Sequence, residues 1–472
     1  MARALAAEAG LPYDGLALIA DPIHQYITFT VPQGGAEEAT EKDLIDTAWV
    51  QRLRCIYQLQ SARWVYPSAE HSRFQHSLGA MHVAGLFAQQ LYPALRRVAG
   101  DCPSEPCVEE FLRVSALLHD VGHGPFCHFF DHNFLDAYGL THEDLSQRII
   151  LEKLAPVIRR LRRSPRGRFR PGERLDPRHI AFLIKKGGGR PSAAVPRWVA
   201  LLKPILDGIY TADNLDYVLR DSYMCGVAIG PVDLERLLHY TFFTPNGLTL
   251  HRAGTSALTM FLTARLYLYT NVYYHRTTRA IDLHLKELFK PTMRILFPHH
   301  PRELNRYLQL TDWTLLETVR RWPESRDKAR RALGREWERV LLREVKWKLA
   351  YEKTLPIREV EPGRTVLNEA EWEQKIRALL PPRLRRIEYQ ADIAWQDPRP
   401  ENPLQMGRRQ IYVFNPATGT SAKEPLQELF EYMPSKIILC RVYGAGHDHD
   451  RELARAAEAA LHSRPGAITT NI

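Results

Sequence analysis

The sequence predicts a mainly α-helical protein: a large helical core led in by short strands, followed by a smaller α+β lobe. Three observations carry this. Apolar residues recur at three- and four-residue spacing through most of the first 300 positions. After Pro298-His299-His300-Pro301 the texture shifts, first to helical stretches rich in Arg and Glu, then, past about Lys353, to extended runs. At 472 residues the chain also exceeds one ordinary core, so two lobes are expected. The boundary belongs near 300–350, with 1–300 and 301–472 as the working division.

In order, residues 1–15 read as a loose lead-in. Leu18 to Phe29 alternates well enough for a strand or hairpin around Pro22, and Gly34-Gly35 breaks it. A helix is expected over 41–59, with Leu44, Ile45, Trp49, Leu53, Ile56 and Tyr57 on its apolar face. Further helices are expected over 72–95, 108–120, 142–163, 178–186, 198–222 and 231–241, and a long one over 254–296. Nothing in this span demands a parallel sheet. Extended pieces over 386–394, 410–414 and 436–443, with a closing helix over 449–462, make the small lobe.

A hydrophobic content of 45% with 25% charged residues fits a globular protein. No apolar run approaches the roughly 18–20 residues that a membrane span needs. The N-terminus lacks the apolar core of a signal peptide. Six scattered cysteines form no CxxC. A cytoplasmic protein with free thiols and no membrane partner is the expectation. The net charge of +10 suits polyanions such as nucleotides or nucleic acid, although liberal use of Arg alone would also produce it. The Arg-dense stretch Arg159–Arg174 reads as an exposed basic loop. Gly187-Gly188-Gly189, after Lys185-Lys186, lacks the GK[ST] ending of a phosphate loop and reads as surface.

The chemistry gathers at Leu117-Leu118-His119-Asp120-Val121-Gly122-His123-Gly124-Pro125-Phe126-Cys127-His128. An apolar helix end delivers His119 and Asp120, then a Gly- and Pro-broken turn carries two more histidines. Such residues are poor core members unless paired or metal-bound. His447-Asp448-His449-Asp450 shows that a His-Asp pair alone proves little, because an Asp there serves as a helix cap. His119-Asp120 keeps different company. His76 lies inside an amphipathic helix. Asp213 shares a helix face with Ile209 and Tyr217, where an unpaired carboxylate would be costly. Two imidazoles and two carboxylates suit a divalent ion with open positions for water and phosphate.

The stretches Gln51–Leu59, His71–Gly79, His119–Asp131 and Asp216–Asp221, at their spacing, resemble the HD-domain phosphohydrolases. They are most similar to the deoxynucleoside triphosphate triphosphohydrolase branch. The resemblance implies an all-helical HD-domain core and a divalent metal ion (Mg, Mn, Fe, Zn or Ni) on His76, His119, Asp120 and Asp213. It implies that His128 protonates the leaving 5′-oxygen with Asp131 orienting it, and that His123 and His142 contact phosphate. His142 stands in the first turn of a helix, where the dipole favours an anion and lowers the imidazole pKa. Arg73 and Arg265 fit the triphosphate. Gln58, Leu59, Tyr217 and Asp221 would border the sugar, and Tyr273, stacked with Arg265 and Tyr269 at i, i+4 and i+8, would exclude a 2′-hydroxyl.

Two positions of the substrate pocket depart from the vertebrate branch, as do Ala17 and Ala20 at the implied regulatory site, where that branch has a lysine and an asparagine. Asn214 stands where a phosphate-binding lysine would follow the metal aspartate, and Tyr269 replaces a pocket histidine. An activating GTP or dNTP bridging subunits is also implied, through Asp46, Gln51 and Arg54, with Arg236, His275 and Arg276 in a neighbouring site. That would make the chain a homo-oligomer, a dimer or tetramer. The expected activity is hydrolysis of a dNTP to deoxynucleoside and tripolyphosphate. The competing readings are an HD phosphohydrolase or phosphodiesterase acting on another nucleotide or on single-stranded nucleic acid, and a non-catalytic nucleic-acid binder.

Overall fold

A computed structural model describes residues 13–33, 37–187, 195–357, 368–396, 412–422 and 436–462. Of the sequence-based expectations, the lead-in as far as residue 12, the Gly34-Gly35 break, Gly188-Gly189 and Gln410-Ile411 lie outside the described residues. The chain starts with an antiparallel hairpin, β1 (Leu16–Asp21) and β2 (Gln25–Thr30), in the register Ile19 opposite Ile27. Helices α1 (Glu41–Ile45) and α2 (Ala48–Gln51) follow, then α3 (Arg73–Val98) and α4 (Glu105–Leu118). Next come α5 (His128–Asn133), α6 (His142–Ile149) and α7 (Ala155–Ile158). A two-residue hairpin, β3 (Arg163–Ser164) and β4 (Gly167–Arg168), leads to α8 (Pro177–Ile184), α9 (Arg197–Leu202) and α10 (Ala212–Cys225). The core continues with α11 (Leu234–His239), β5 (Thr241–Thr244), β6 (Gly247–His251), α12 (Thr255–Leu268) and α13 (Arg276–Leu296).

Beyond residue 300 lie α14 (Leu304–Tyr307), α15 (Asp312–Arg320) and α16 (Lys328–Leu341). The remaining elements are β7 (Lys348–Ile357), α17 (Glu369–Leu379), β8 (Tyr389–Gln396), β9 (Tyr412–Asn415), β10 (Thr420–Ala422), β11 (Lys436–Gly444) and α18 (Asp450–His462).

The helical core forms because α3 is apolar on most of its circumference and packs along both α4 and α10. One continuous apolar core runs from Ile27 through Leu118, Phe126 and Phe289 to Trp337 and Val340. It therefore crosses residue 300 and ends inside the 300–350 window. A second core, around Trp372, Ile376, Cys440, Val442 and Leu453, lies between the antiparallel sheet β7–β11–β8 and helices α17 and α18.

The elements depart from expectation in instructive places. The helix expected over 41–59 is split because Thr47 accepts from the Val50 N–H and starts a second helix. The helix expected over 142–163 widens into a π turn at Ile150–Leu154 and ends at Ile158. The basic stretch that follows then carries the β3–β4 hairpin and is not a plain loop. The helix expected over 198–222 breaks between Ile205 and Ala212, where the Thr211–Asn214 capping box starts α10. The long helix over 254–296 is two helices joined by a π turn, Tyr269–Tyr273, in which Tyr274 N–H reaches Tyr269 O at 2.9 Å. The β5–β6 hairpin went unforeseen. So did its parallel pairing with β9, which places Leu250 opposite Val413.

All six cysteines are free. No helix among the described residues is long and apolar enough to cross a membrane.

Candidate active site

Three helix ends and one strained turn assemble the site. Helix α3 presents Arg73 and His76 from its first turn, and the end of α4 presents His119 and Asp120. Helix α10 opens beside them and carries Asp213, Asn214, Tyr217 and Asp221. The turn between α4 and α5 brings in His123 and His128. Phe126 and Cys127 there hold positive φ of 61° and 53°, a strained backbone held by outside contacts. Phe126 N–H donates to Asp312 Oδ1 at 3.0 Å, and Cys127 Sγ contacts Arg73 Nε and Tyr57 O, both at 3.0 Å. Gly122 makes the turn possible, since a Cβ there would sit 2.2 Å from His142 O.

The ligand atoms of His76, His119 and Asp213 all lie within 4.8 Å of one another. His76 Nε2 is 3.3 Å and His119 Nε2 is 3.6 Å from Asp213 Oδ1. Asp120 Oδ1 is 3.3 Å from His119 Nε2, while Oδ2 is held by Arg73. The tautomers are set from behind. His76 Nδ1–H donates to Asp216 Oδ2 at 2.8 Å, and His119 Nδ1–H to Ala116 O at 2.6 Å. Both Nε2 atoms are left buried without a hydrogen-bond partner. Burial pulls His76 down, yet Asp213 and Asp216 overcome this and lift its pKa to about 10, so this cage attracts positive charge. Orphaned, inward-facing imidazole nitrogens beside two carboxylates fit a divalent ion.

A second cluster, His123, His128, Asp131 and His142, stands next to the first, with Asp120 Oδ1 3.4 Å from His123 Nε2. His123 stacks on His142 at 3.8 Å between ring centroids, and His128 meets both rings edge-on. Asp131 Oδ2 lies 2.5 Å from His142 Nδ1 but 3.8 Å from His128 Nδ1. Burial pulls His142 down, but Asp131 outweighs it and raises the pKa. The lowering expected from the helix dipole is therefore corrected: a carboxylate in contact outweighs partial charges at a helix end. His128 is shifted down by burial while Asp131 pulls upward.

These groups open on a cavity of about 590 Å³ lined by Gln58, Leu59, Arg73, Tyr217, Asp221, Arg265, Tyr269 and Tyr273, among others. One end is a hydrogen-bonded wall: Tyr273 OH donates to Asp221 Oδ2 at 2.6 Å, and His71 Nε2 lies 2.8 Å from Asp221 Oδ1. Tyr273 meets Tyr269 edge-on at 4.8 Å, and Arg265 lies over the Tyr269 ring. The expected simple i, i+4, i+8 stripe is modified, because the π turn re-aims the residues from Tyr269 onward. Asn214 lines the cavity, but its amide is held by the backbone at the start of α10. Its Oδ1 accepts from Thr211 N–H at 2.6 Å and its Nδ2 donates to Ile209 O at 3.2 Å.

The six residues expected to bind a regulatory nucleotide are spread over different elements. Gln51 links Arg54 Nε, at 2.8 Å, to Ile45 O, at 2.9 Å, beside exposed Asp46, which pairs with Lys42. Arg236 on α11 donates to Ala253 O, His275 caps α13, and Arg276 is exposed in its first turn. Sequence reasoning missed Asp216, Asp312 and Lys186. Asp216 is fully buried and takes His24 at 2.7 Å as well as His76. The signal for it was present, since Asp216 stands one residue short of a helical turn from Asp213. Asp312 and Lys186 come from distant segments and carry no local signal.

Comparison with known proteins follows this geometry. An HD domain model matches residues 73–186, and a model of the HD associated region matches 232–370. An uncharacterized Bacillus subtilis protein, YwfO, is 29% identical over 65% of this chain and 66% of its own length. The deoxynucleoside triphosphate triphosphohydrolase SAMHD1 of Gallus gallus is 31% identical over 52% of this chain and 42% of its own length. The SAMHD1 homolog of Dictyostelium discoideum is 28% identical over 52% and 45%. The chain thus spans about two thirds of the first relative and under half of the other two. A hypothetical protein from Aquifex aeolicus, solved by crystallography, shares the fold with a TM-score of 0.66 at 24% identity, over 94% of this chain and 100% of that one.

Proposed function

We propose that this chain, which carries an HD domain over residues 73–186, is a metal-dependent phosphohydrolase that hydrolyses deoxynucleoside triphosphates to deoxynucleoside and inorganic tripolyphosphate. The observation that carries this reading is one cavity lined both by Asp120 and Asp213, which adjoin His76 and His119, and by the Asp221–Tyr273 wall. A divalent ion held by His76, His119, Asp120 and Asp213 would polarise the phosphoryl oxygen and acidify a water. Arg73 and Arg265 bind phosphate oxygens by forked N–H donation. His128, open to the cavity, gives its proton to the leaving 5′-oxygen, and Asp131 holds the His128–His142 pair in place. His123 and His142 face the phosphates. Gln58, Leu59 and Tyr217 flank the sugar, Asp221 accepts from its 3′-hydroxyl, and Tyr273 fills the space that a 2′-hydroxyl would need.

Activation by GTP or a dNTP through Asp46, Gln51, Arg54, Arg236, His275 and Arg276, in a homo-oligomer, belongs to the same reading. Product analysis with each dNTP, with and without GTP, tests it. Tripolyphosphate and deoxynucleoside are expected; orthophosphate or pyrophosphate as the sole inorganic product overturns it. Asn214, spent on its helix cap, favours a second reading, an HD phosphohydrolase of a shorter nucleotide. Faster turnover of deoxynucleoside mono- or diphosphates, assayed beside the dNTPs, would select that one.

A further inference from the structure

The cavity holds a further cation beside its carboxylates. Lys186 lies just past the end of α8 and lines the cavity beside Asp213 and Asp120. The next residue, Gly187, takes φ +65° and donates its N–H to Asp207 Oδ2 at 3.0 Å, a left-handed turn that fixes where the lysine leaves the backbone. The ammonium lies 3.2 Å from Asp213 Oδ2. The two oxygens of that carboxylate therefore divide their work: Oδ1 faces His76 and His119, and Oδ2 faces Lys186. A lysine so placed does not compete for the cage. It has three N–H donors, and one on Asp213 leaves two for another acceptor.

Of the other cavity cations, two are tied to carboxylates, while the Nε of Arg265 is buried without a hydrogen-bond partner. Arg73 is tied to Asp120 and Cys127, Arg279 to Asp392, and Arg265 lies against Tyr269. Position 214 supplies no charge, and its amide is consumed by the capping box. Lys186 is 40% exposed, so its tip can shift towards a ligand without repacking the core.

We propose that Lys186 is the phosphate-binding cation at the polyphosphate end of the cavity, discharging from the α8 side the role that Asn214 leaves vacant on α10. The inference rests on the triphosphate reading of the site. The alternative is that Lys186 only neutralises Asp213.

Calorimetric titration of the metal-loaded protein with inorganic tripolyphosphate and with orthophosphate separates the two, using wild type, Lys186→Ala and Lys186→Arg, with bound metal and thermal midpoint recorded for each. The expected result is about tenfold or greater weakening for tripolyphosphate in Lys186→Ala, a smaller change for orthophosphate, substantial recovery in Lys186→Arg, and unchanged metal content. Steady-state kinetics with dGTP should show the same loss in KM, with kcat little altered. Unchanged tripolyphosphate affinity in Lys186→Ala overturns the proposal, and so does a loss that tracks loss of metal or is equal for both anions. Failure of the underlying reading is told apart because it appears in the wild type, as no preference for tripolyphosphate over orthophosphate.

Discussion

At the scale of single residues, the proposed metal cage depends on a carboxylate that lies behind it, Asp216. Asp216 fixes His76 by Oδ2 and His24 by Oδ1, while Arg220 donates to both oxygens, so it decides which imidazole nitrogen of His76 faces inward. Asp216→Asn should weaken metal binding by about 10–100-fold while leaving the four ligands in place, measured as metal retained against a graded chelator. Asp312 does comparable work for the strained turn, accepting from Tyr57 N–H and Phe126 N–H, both at 3.0 Å. Burial raises its pKa from 3.8 to about 7, with those two hydrogen bonds pulling the other way. The folded state thus keeps a proton that the unfolded chain has lost. Stability should fall as pH rises from about 4 to about 7, then level off, by an amount of order 4 kcal/mol. Urea unfolding across that range checks this, and Asp312→Asn should flatten the slope.

At the scale of elements, the crossing of α3 over α10 is set by Gly79. A Cβ there would come within 1.8 Å of Asp216 Oδ1 and 2.3 Å of Arg220 Nη2. Gly79→Ala should cost about 3 kcal/mol and release metal in parallel, because the helices can separate only by pulling Asp216 off His76. Denaturant midpoints and metal content, read on the same sample, should move together; a stable variant with full metal content would refute the coupling. Periodicity placed α3, α4 and α10 well, since their apolar faces are long and their starts carry capping residues such as Thr211. It could not see the π turns at Ile150–Leu154 and Tyr269–Tyr273, where one added residue leaves the apolar pattern almost intact but changes the direction of every later side chain. The β5–β6 hairpin was missed for a related reason: four- and five-residue strands beside a short helix offer too few positions for alternation to declare itself. Of the site, the residues inside long motifs were legible. Lys186 and Asp312 were not, because what makes them important is a neighbour far away in sequence.

At the scale of the whole molecule, the smaller lobe reaches the cavity through one ion pair. Asp392 on β8 is fully buried and binds Arg279, which lines the cavity from the start of α13. Arg279→Met should destabilise the protein by about 3–5 kcal/mol by leaving that carboxylate buried alone, whereas Arg279→Met with Asp392→Leu should recover much of the loss. Chemical denaturation of the two variants tests the difference, and equal losses would mean that the charge itself is not what joins the lobes.

The parallel seat of β9 beside β6 also has a meaning for how the molecule is made. Residues 247–251 leave the ribosome long before residues 412–415, so during synthesis the β5–β6 hairpin waits with one side of its backbone unclaimed. A newly made chain carries that open edge until more than 150 further residues have followed, and any other extended segment that meets it first is a rival for the seat. The sheet that begins with the β5–β6 hairpin is thus completed late in synthesis, by β9 and then β10.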